Sequence, residues 1–89
     1  MAWRVELDPA AERELSKLDP QIARRILAFL YHRVAPLDDA RSIGEALTGS
    51  RLGDFWKYRV GDHRIIASIE DRQVRILVVK VGNRREIYR

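Results

Sequence analysis

Residues 55–70 read as a β-hairpin, and no other stretch restricts the fold as tightly. Trp56, Tyr58 and Val60 alternate with Lys57 and Arg59, the period of a half-buried strand. Gly61-Asp62 follows, with glycine at the first central position of a two-residue loop, as a type II′ turn requires. The return strand runs from His63 to Glu70. Ile65, Ala67 and Ile69 share one face of it, and Arg64, Ile66 and Ser68 share the other. The aromatic residues Trp56 and Tyr58 belong to the core side. Lys57, Arg59 and Arg64 are then fixed cations on one short hairpin. Cations two apart on a strand point the same way and repel unless an anion lies between them, an arrangement that suits a phosphate.

The rest of the chain must give this hairpin a sheet to join. Trp3, Val5 and Leu7 alternate with Arg4 and Glu6 and form a first strand. Asp8-Pro9 starts a helix, aspartate as N-cap and proline at the first position. Its apolar stripe is Ala11, Leu15 and Leu18, and Glu12 and Glu14 suit its N-terminal end. Asp19-Pro20 repeats the signal and opens a second helix carrying Ile22, Ile26, Phe29 and Leu30. Pro36 stops that helix near Arg33 or Val34. Helices joined this closely make an αα-hairpin.

Residues 36–50 form a connector. Asp38 to Arg41 suggests one helical turn, and Ile43, Ala46 and Leu47 are expected to tuck against the core. Beyond the hairpin, a turn at Asp71-Arg72 leads to the run Val74–Val81, apolar on both faces as a central strand should be. Gly82-Asn83 breaks it, and Ile87 pins the end. The order is β-α-α-β-β-β. It predicts an α+β domain over residues 1–89, with the first strand and αα-hairpin packed on one face of an antiparallel β-sheet. Pattern alone leaves the partner of the first strand open.

Composition narrows the function. The chain has 89 residues, no cysteine and two histidines, so neither a disulfide framework nor a thiolate or histidine metal site is expected. No apolar run approaches the roughly 20 residues of a membrane span, so a cytoplasmic protein without membrane partners is expected. The net charge of +4 is unevenly placed: residues 51–89 carry ten Lys/Arg against five Asp/Glu, whereas residues 1–50 carry seven against eight. A basic sheet calls for a polyanion, most often nucleic acid.

The element order, Leu47-Thr48-Gly49, the segment Tyr58-Arg59-Val60-Gly61-Asp62-His63-Arg64, the strand ending Lys80-Val81-Gly82 and the terminal Arg84-Arg85-Glu86-Ile87-Tyr88 together resemble the RelE/ParE superfamily of bacterial toxins, most closely its RelE branch. The resemblance implies the toxin of a type II toxin-antitoxin system. It implies an endoribonuclease that cuts mRNA on the ribosome, inhibits translation and is held inactive by a RelB-like antitoxin in a hetero-oligomer. It also implies catalysis without metal or cofactor, the RNA 2′-hydroxyl attacking the adjacent phosphate. Carried over residue by residue, the catalytic set is Lys57, Arg59, Arg64, Arg84 and Tyr88. Arg51, His63 and Arg85 are further candidates for contacting RNA, singled out by their charge and position in this chain. Where relatives have a second lysine this chain has Arg59. Arginine is poor at exchanging protons, so the general base is Lys57 or Tyr88. The alternative is a ParE-like inhibitor of DNA gyrase, which shares the fold and needs no such set.

Overall fold

The computed structural model describes residues 2–47 and 55–87. Strand β1 (Arg4–Leu7) leads into helix α1 (Pro9–Ser16) and helix α2 (Pro20–Ala28). Both helices begin as their sequences direct. The Asp8 carboxylate accepts from the Ala11 amide at 2.9 Å, and that of Asp19 from the Gln21 amide at 2.8 Å. Each cap contributes about 1 kcal/mol. Helix α2 widens into a π-helical turn over Phe29–Val34, closed by the Ala35 amide donating to the Leu30 carbonyl at 2.9 Å. That turn ends where the helix was expected to end.

Strands β2 (Glu45–Ala46), β3 (Phe55–Val60), β4 (His63–Glu70) and β5 (Arg75–Asn83) complete a sheet of order β1-β5-β4-β3-β2. Gly61 has φ +59° while Asp62 does not take a positive φ, consistent with the expected type II′ turn. The apolar run is central as expected, lying between β1 and β4. Several expectations change. First, the sheet is not wholly antiparallel: β1 pairs with β5 in parallel, Val5 opposite Ile76. The crossover between them runs through both helices and strands β2, β3 and β4, well beyond the roughly dozen residues a parallel pair requires. Second, β2 is an added edge strand, two residues long, paired to Trp56 and Lys57. Third, the connector's Asp38–Arg41 segment is not helical. It is an aspartate turn in which the Asp39 carboxylate accepts from the Arg41 amide at 2.9 Å. Ala46, expected to tuck inward, is exposed, whereas Leu47 is buried.

The helix-facing core contains Ile26, Leu30, Val34, Tyr58, Ile65, Ile76 and Val78, all fully buried. Tyr58 donates its hydroxyl proton to the Ala40 carbonyl at 2.5 Å and meets Phe29 edge to face at 6.0 Å. A bulge interrupts β4–β5: Ile66 faces Lys80, but Ala67 faces Val78. Val79 is the extra residue, so Val78 and Val81 both point to the helices although they are three apart. The Glu14 carboxylate accepts from the Val81 amide at 3.1 Å, satisfying backbone beside the bulge.

The outer sheet face carries a smaller apolar cluster of Leu47, Ile66 and Ile87, with Phe55 and Val79 against it. Ile87 therefore does not extend a last strand. The chain turns after β5, and the Glu86 and Ile87 amides both donate to the Asn83 carbonyl, at 2.9 and 3.0 Å. Val74, expected to open β5, instead closes a 3₁₀ turn in the left-handed region at φ 49°, a costly conformation for a β-branched residue.

Candidate anion-binding site

Strand geometry builds the site on the outer face. Alternation along β3 sends Lys57 and Arg59 outward while Tyr58 and Val60 go to the core. The hairpin register sets Arg59 opposite Arg64 and Arg64 opposite Gly82. Over Gly82 the chain end closes in: a Cβ there would lie 3.5 Å from Ile87 Cδ1. The end of β5 is tied to the hairpin turn by the Arg84 amide, which donates to the Asp62 carbonyl at 2.9 Å. The Asn83 side chain then accepts from the Arg85 amide at 3.0 Å. Ile87, packed on the outer face, anchors this turn and holds Arg84 and Arg85 at the same mouth.

The result is an open depression of about 530 Å³ lined by Gly44, Glu45, Lys57, Arg59, Arg64, Arg84 and Arg85. Five of the cations singled out in the sequence thus converge. Arg64 is held by its own hairpin, its Nη1 donating to the Gly61 and His63 carbonyls at 3.0 Å each. Among the described residues, Arg59, Arg84 and Arg85 have no carboxylate within ion-pair distance.

Two lining residues were missed by sequence reasoning. Glu45, from β2, is the one carboxylate among the described lining residues, and it meets Lys57 Nζ at 2.9 Å. The lysine side chain is 18% exposed and the glutamate 69%. The hydrogen bond and charge of Lys57, with Arg64 adding to them, hold the Glu45 carboxyl below the usual carboxylate range. Gly44 makes this placement possible. Its φ is +82°, and a Cβ there would lie 2.5 Å from the Lys57 carbonyl oxygen and 2.7 Å from Trp56 Nε1. Trp56 Nε1 in turn donates to the Ile43 carbonyl at 2.7 Å, fastening the connector to β3. No periodic signal marks Gly44-Glu45, because a two-residue strand is too short to show one.

His63 lies apart from the depression. It is adjacent to Arg64 in an extended strand, so the two face opposite ways, and it borders a separate hollow with Ile22, Arg25 and Val60 on the helix side. His63 thus stands apart from the five cations that line the outer depression. Arg51 and Tyr88 lie outside the described residues. Among those described, no group of three or more His, Cys, Asp or Glu could hold a metal ion, and no helix is long and apolar enough to cross a membrane.

A fork of guanidiniums over an ion pair is a place for phosphate oxygens. The family model for the ParE toxin of type II toxin-antitoxin systems, parDE, matches residues 5–88. The chain belongs to this family. The toxin is 27% identical over 89 residues to Toxin RelG of Mycobacterium tuberculosis, covering 100% of this chain and 99% of the relative. Its fold is similar to the RelBE2 toxin–antitoxin complex of M. tuberculosis, with TM-score 0.84, 22% identity and coverage of 93% and 92% of the two chains. The isolated RelE toxin of E. coli matches with TM-score 0.69 and 24% identity, over 98% and 92% of the chains. The RelE–RelB complex of Pyrococcus horikoshii matches with TM-score 0.66 and 26% identity, over 97% and 99%. The family model thus carries the ParE name, while these relatives carry the RelE name. The toxin has the RelE/ParE fold.

Proposed function

We propose that the toxin is an mRNA endonuclease acting on the ribosome, and that the cationic depression is its active site. The observation that carries this reading is the meeting of Lys57, Arg59, Arg64, Arg84 and Arg85 around one carboxylate. In the reaction the 2′-oxygen of RNA bonds to the adjacent phosphorus and the bond to the 5′-oxygen breaks. The products are a 2′,3′-cyclic phosphate and a 5′-hydroxyl. Charge accumulates on the phosphorane oxygens, and Arg64 and Arg84 offset it with guanidiniums that stay charged.

The ion pair divides the proton traffic. Sequence alone left Lys57 or Tyr88 as the base. With Lys57 Nζ 2.9 Å from Glu45, the carboxylate takes the 2′-hydroxyl proton, and the ammonium stabilises charge and gives a proton to the departing 5′-oxygen. Proton exchange within the pair then restores both groups. Arg59 stabilises charge, Arg85 contacts flanking RNA, and Tyr88 orients the nucleophile.

Relatives that share the fold are complexes of RelE with RelB, and this toxin is assigned a RelB-like antitoxin of its own. A second reading has one observation in its favour, the ParE name of the matching family model: inhibition of DNA gyrase without nuclease chemistry. Mapping message ends on translating ribosomes separates the two. Discrete cuts bearing cyclic phosphates support the nuclease. Gyrase-linked DNA breaks with intact message support the inhibitor. Arg64→Ala should lower cleavage at least about 10²-fold, the usual effect of removing one preorganised charge-stabilising donor.

A further inference from the structure

A second cationic hollow, of about 390 Å³, opens between the end of α2 and the hairpin turn. Arg25, His32, Arg33 and Arg59 line it, with Phe29 and Gly61 among its apolar floor, and no carboxylate borders it among the described residues. Arg25, His32 and Arg33 are exposed. None of the three makes a side-chain hydrogen bond or ion pair among the described residues. His32 and Arg33, on the π-helical turn, meet Arg25 of α2 at this hollow. Like charges collected at one hollow, with no acid to offset them, are unfavourable without a polyanion.

Arg59 also lines the depression on the outer sheet face. This double membership follows from the sheet edge. Strand β2 covers β3 only at Trp56 and Lys57, so at Arg59 the edge of β3 is left uncovered by β2. The two hollows are thereby joined around that edge by one guanidinium.

We infer that a single RNA strand crosses this edge: the phosphate to be cut sits in the outer depression, and phosphates flanking it run past Arg59 into the hollow of Arg25 and Arg33. The inference rests on the nuclease reading and adds to it a path for the substrate. The continuity through Arg59 favours RNA over an acidic peptide, because one continuous polyanion then accounts for both groups of cations.

The test uses the full-length toxin and RNA oligonucleotides carrying 2′-O-methyl groups, which cannot be cut. Binding of a dodecamer and of a trinucleotide is followed by fluorescence anisotropy across a salt series. For the dodecamer, Arg25→Ala/Arg33→Ala should reduce the slope of log affinity against log salt by about 1.4, at about 0.7 per phosphate contact on single strands. The trinucleotide, long enough only for the outer depression, should bind both proteins alike. Arg24→Ala/Arg72→Ala removes as much charge from exposed positions outside both hollows and should leave the dodecamer slope unchanged.

An unchanged slope in Arg25→Ala/Arg33→Ala would overturn the path, as would an equal loss in the control pair. Lost affinity for a cognate antitoxin with RNA binding intact would reassign the hollow to protein and overturn it too. Message-end mapping with the wild-type toxin is independent of these arms. Absence of cuts there would refute the nuclease while leaving the binding result to stand on its own.

Discussion

Gly44→Ala is the substitution whose cost is most clearly written in the structure, and Gly61→Ala is its control. Both glycines have positive φ, +82° and +59°, so alanine meets a left-handed penalty of about 1–2 kcal/mol at either position. Loss of unfolded-state freedom returns about 0.4–1 kcal/mol in both. The surroundings differ. At Gly61 the nearest atom to a new Cβ is Arg25 Nη1 at 3.5 Å, the end of a flexible side chain. At Gly44 it is the Lys57 carbonyl at 2.5 Å, on a strand already paired to β4. The connector must lift, losing the Trp56–Ile43 hydrogen bond, worth about 1 kcal/mol, and the approach of Glu45 to Lys57. Net destabilisation should be about 1 kcal/mol for Gly61→Ala and about 3 kcal/mol for Gly44→Ala. At roughly 4–8 °C per kcal/mol for a domain of this size, thermal and urea unfolding resolve the two easily. Equal losses would refute the argument that close approach, rather than φ alone, requires glycine at position 44.

Two further expectations concern single groups. Tyr58→Phe should cost about 1–3 kcal/mol, because it strands the buried Ala40 carbonyl without a donor; urea unfolding reads this directly. Glu45 should titrate below the ordinary carboxylate range, since Lys57 and Arg64 lower it, and Lys57→Met should raise it, as carboxyl carbon shifts would report. The sign follows from linkage: a pKa lowered on folding adds stability above the unfolded value, and that contribution fades as pH falls through the folded value.

Much of this was readable in advance, for physical reasons that differ by element. The hairpin announced itself because alternation, a glycine turn and a return strand agree, and the same alternation placed Lys57, Arg59 and Arg64. Aspartate-proline pairs fixed both helix starts, since capping is local chemistry. What escaped depends on contacts distant in sequence. The parallel pairing of β1 with β5 is decided by the crossover. The bulge that turns Val78 and Val81 to the same side breaks the period on which a strand is recognised. Glu45 enters the site through a two-residue strand that only β3 defines. Val74 reads as strand by composition, yet the 3₁₀ turn takes it. His63 looked like a neighbour of Arg64, and the pleat separates them.

Amide and arginine side-chain NMR of the toxin, titrated with an RNA trinucleotide carrying a 2′-deoxy group at the cleaved position, tests the anion site most directly. The account predicts that the largest shifts fall on Lys57, Arg59, Arg64, Arg84 and Arg85, with small changes along the exposed side of α1. Shifts centred on α1, with those five cations unmoved, would contradict it.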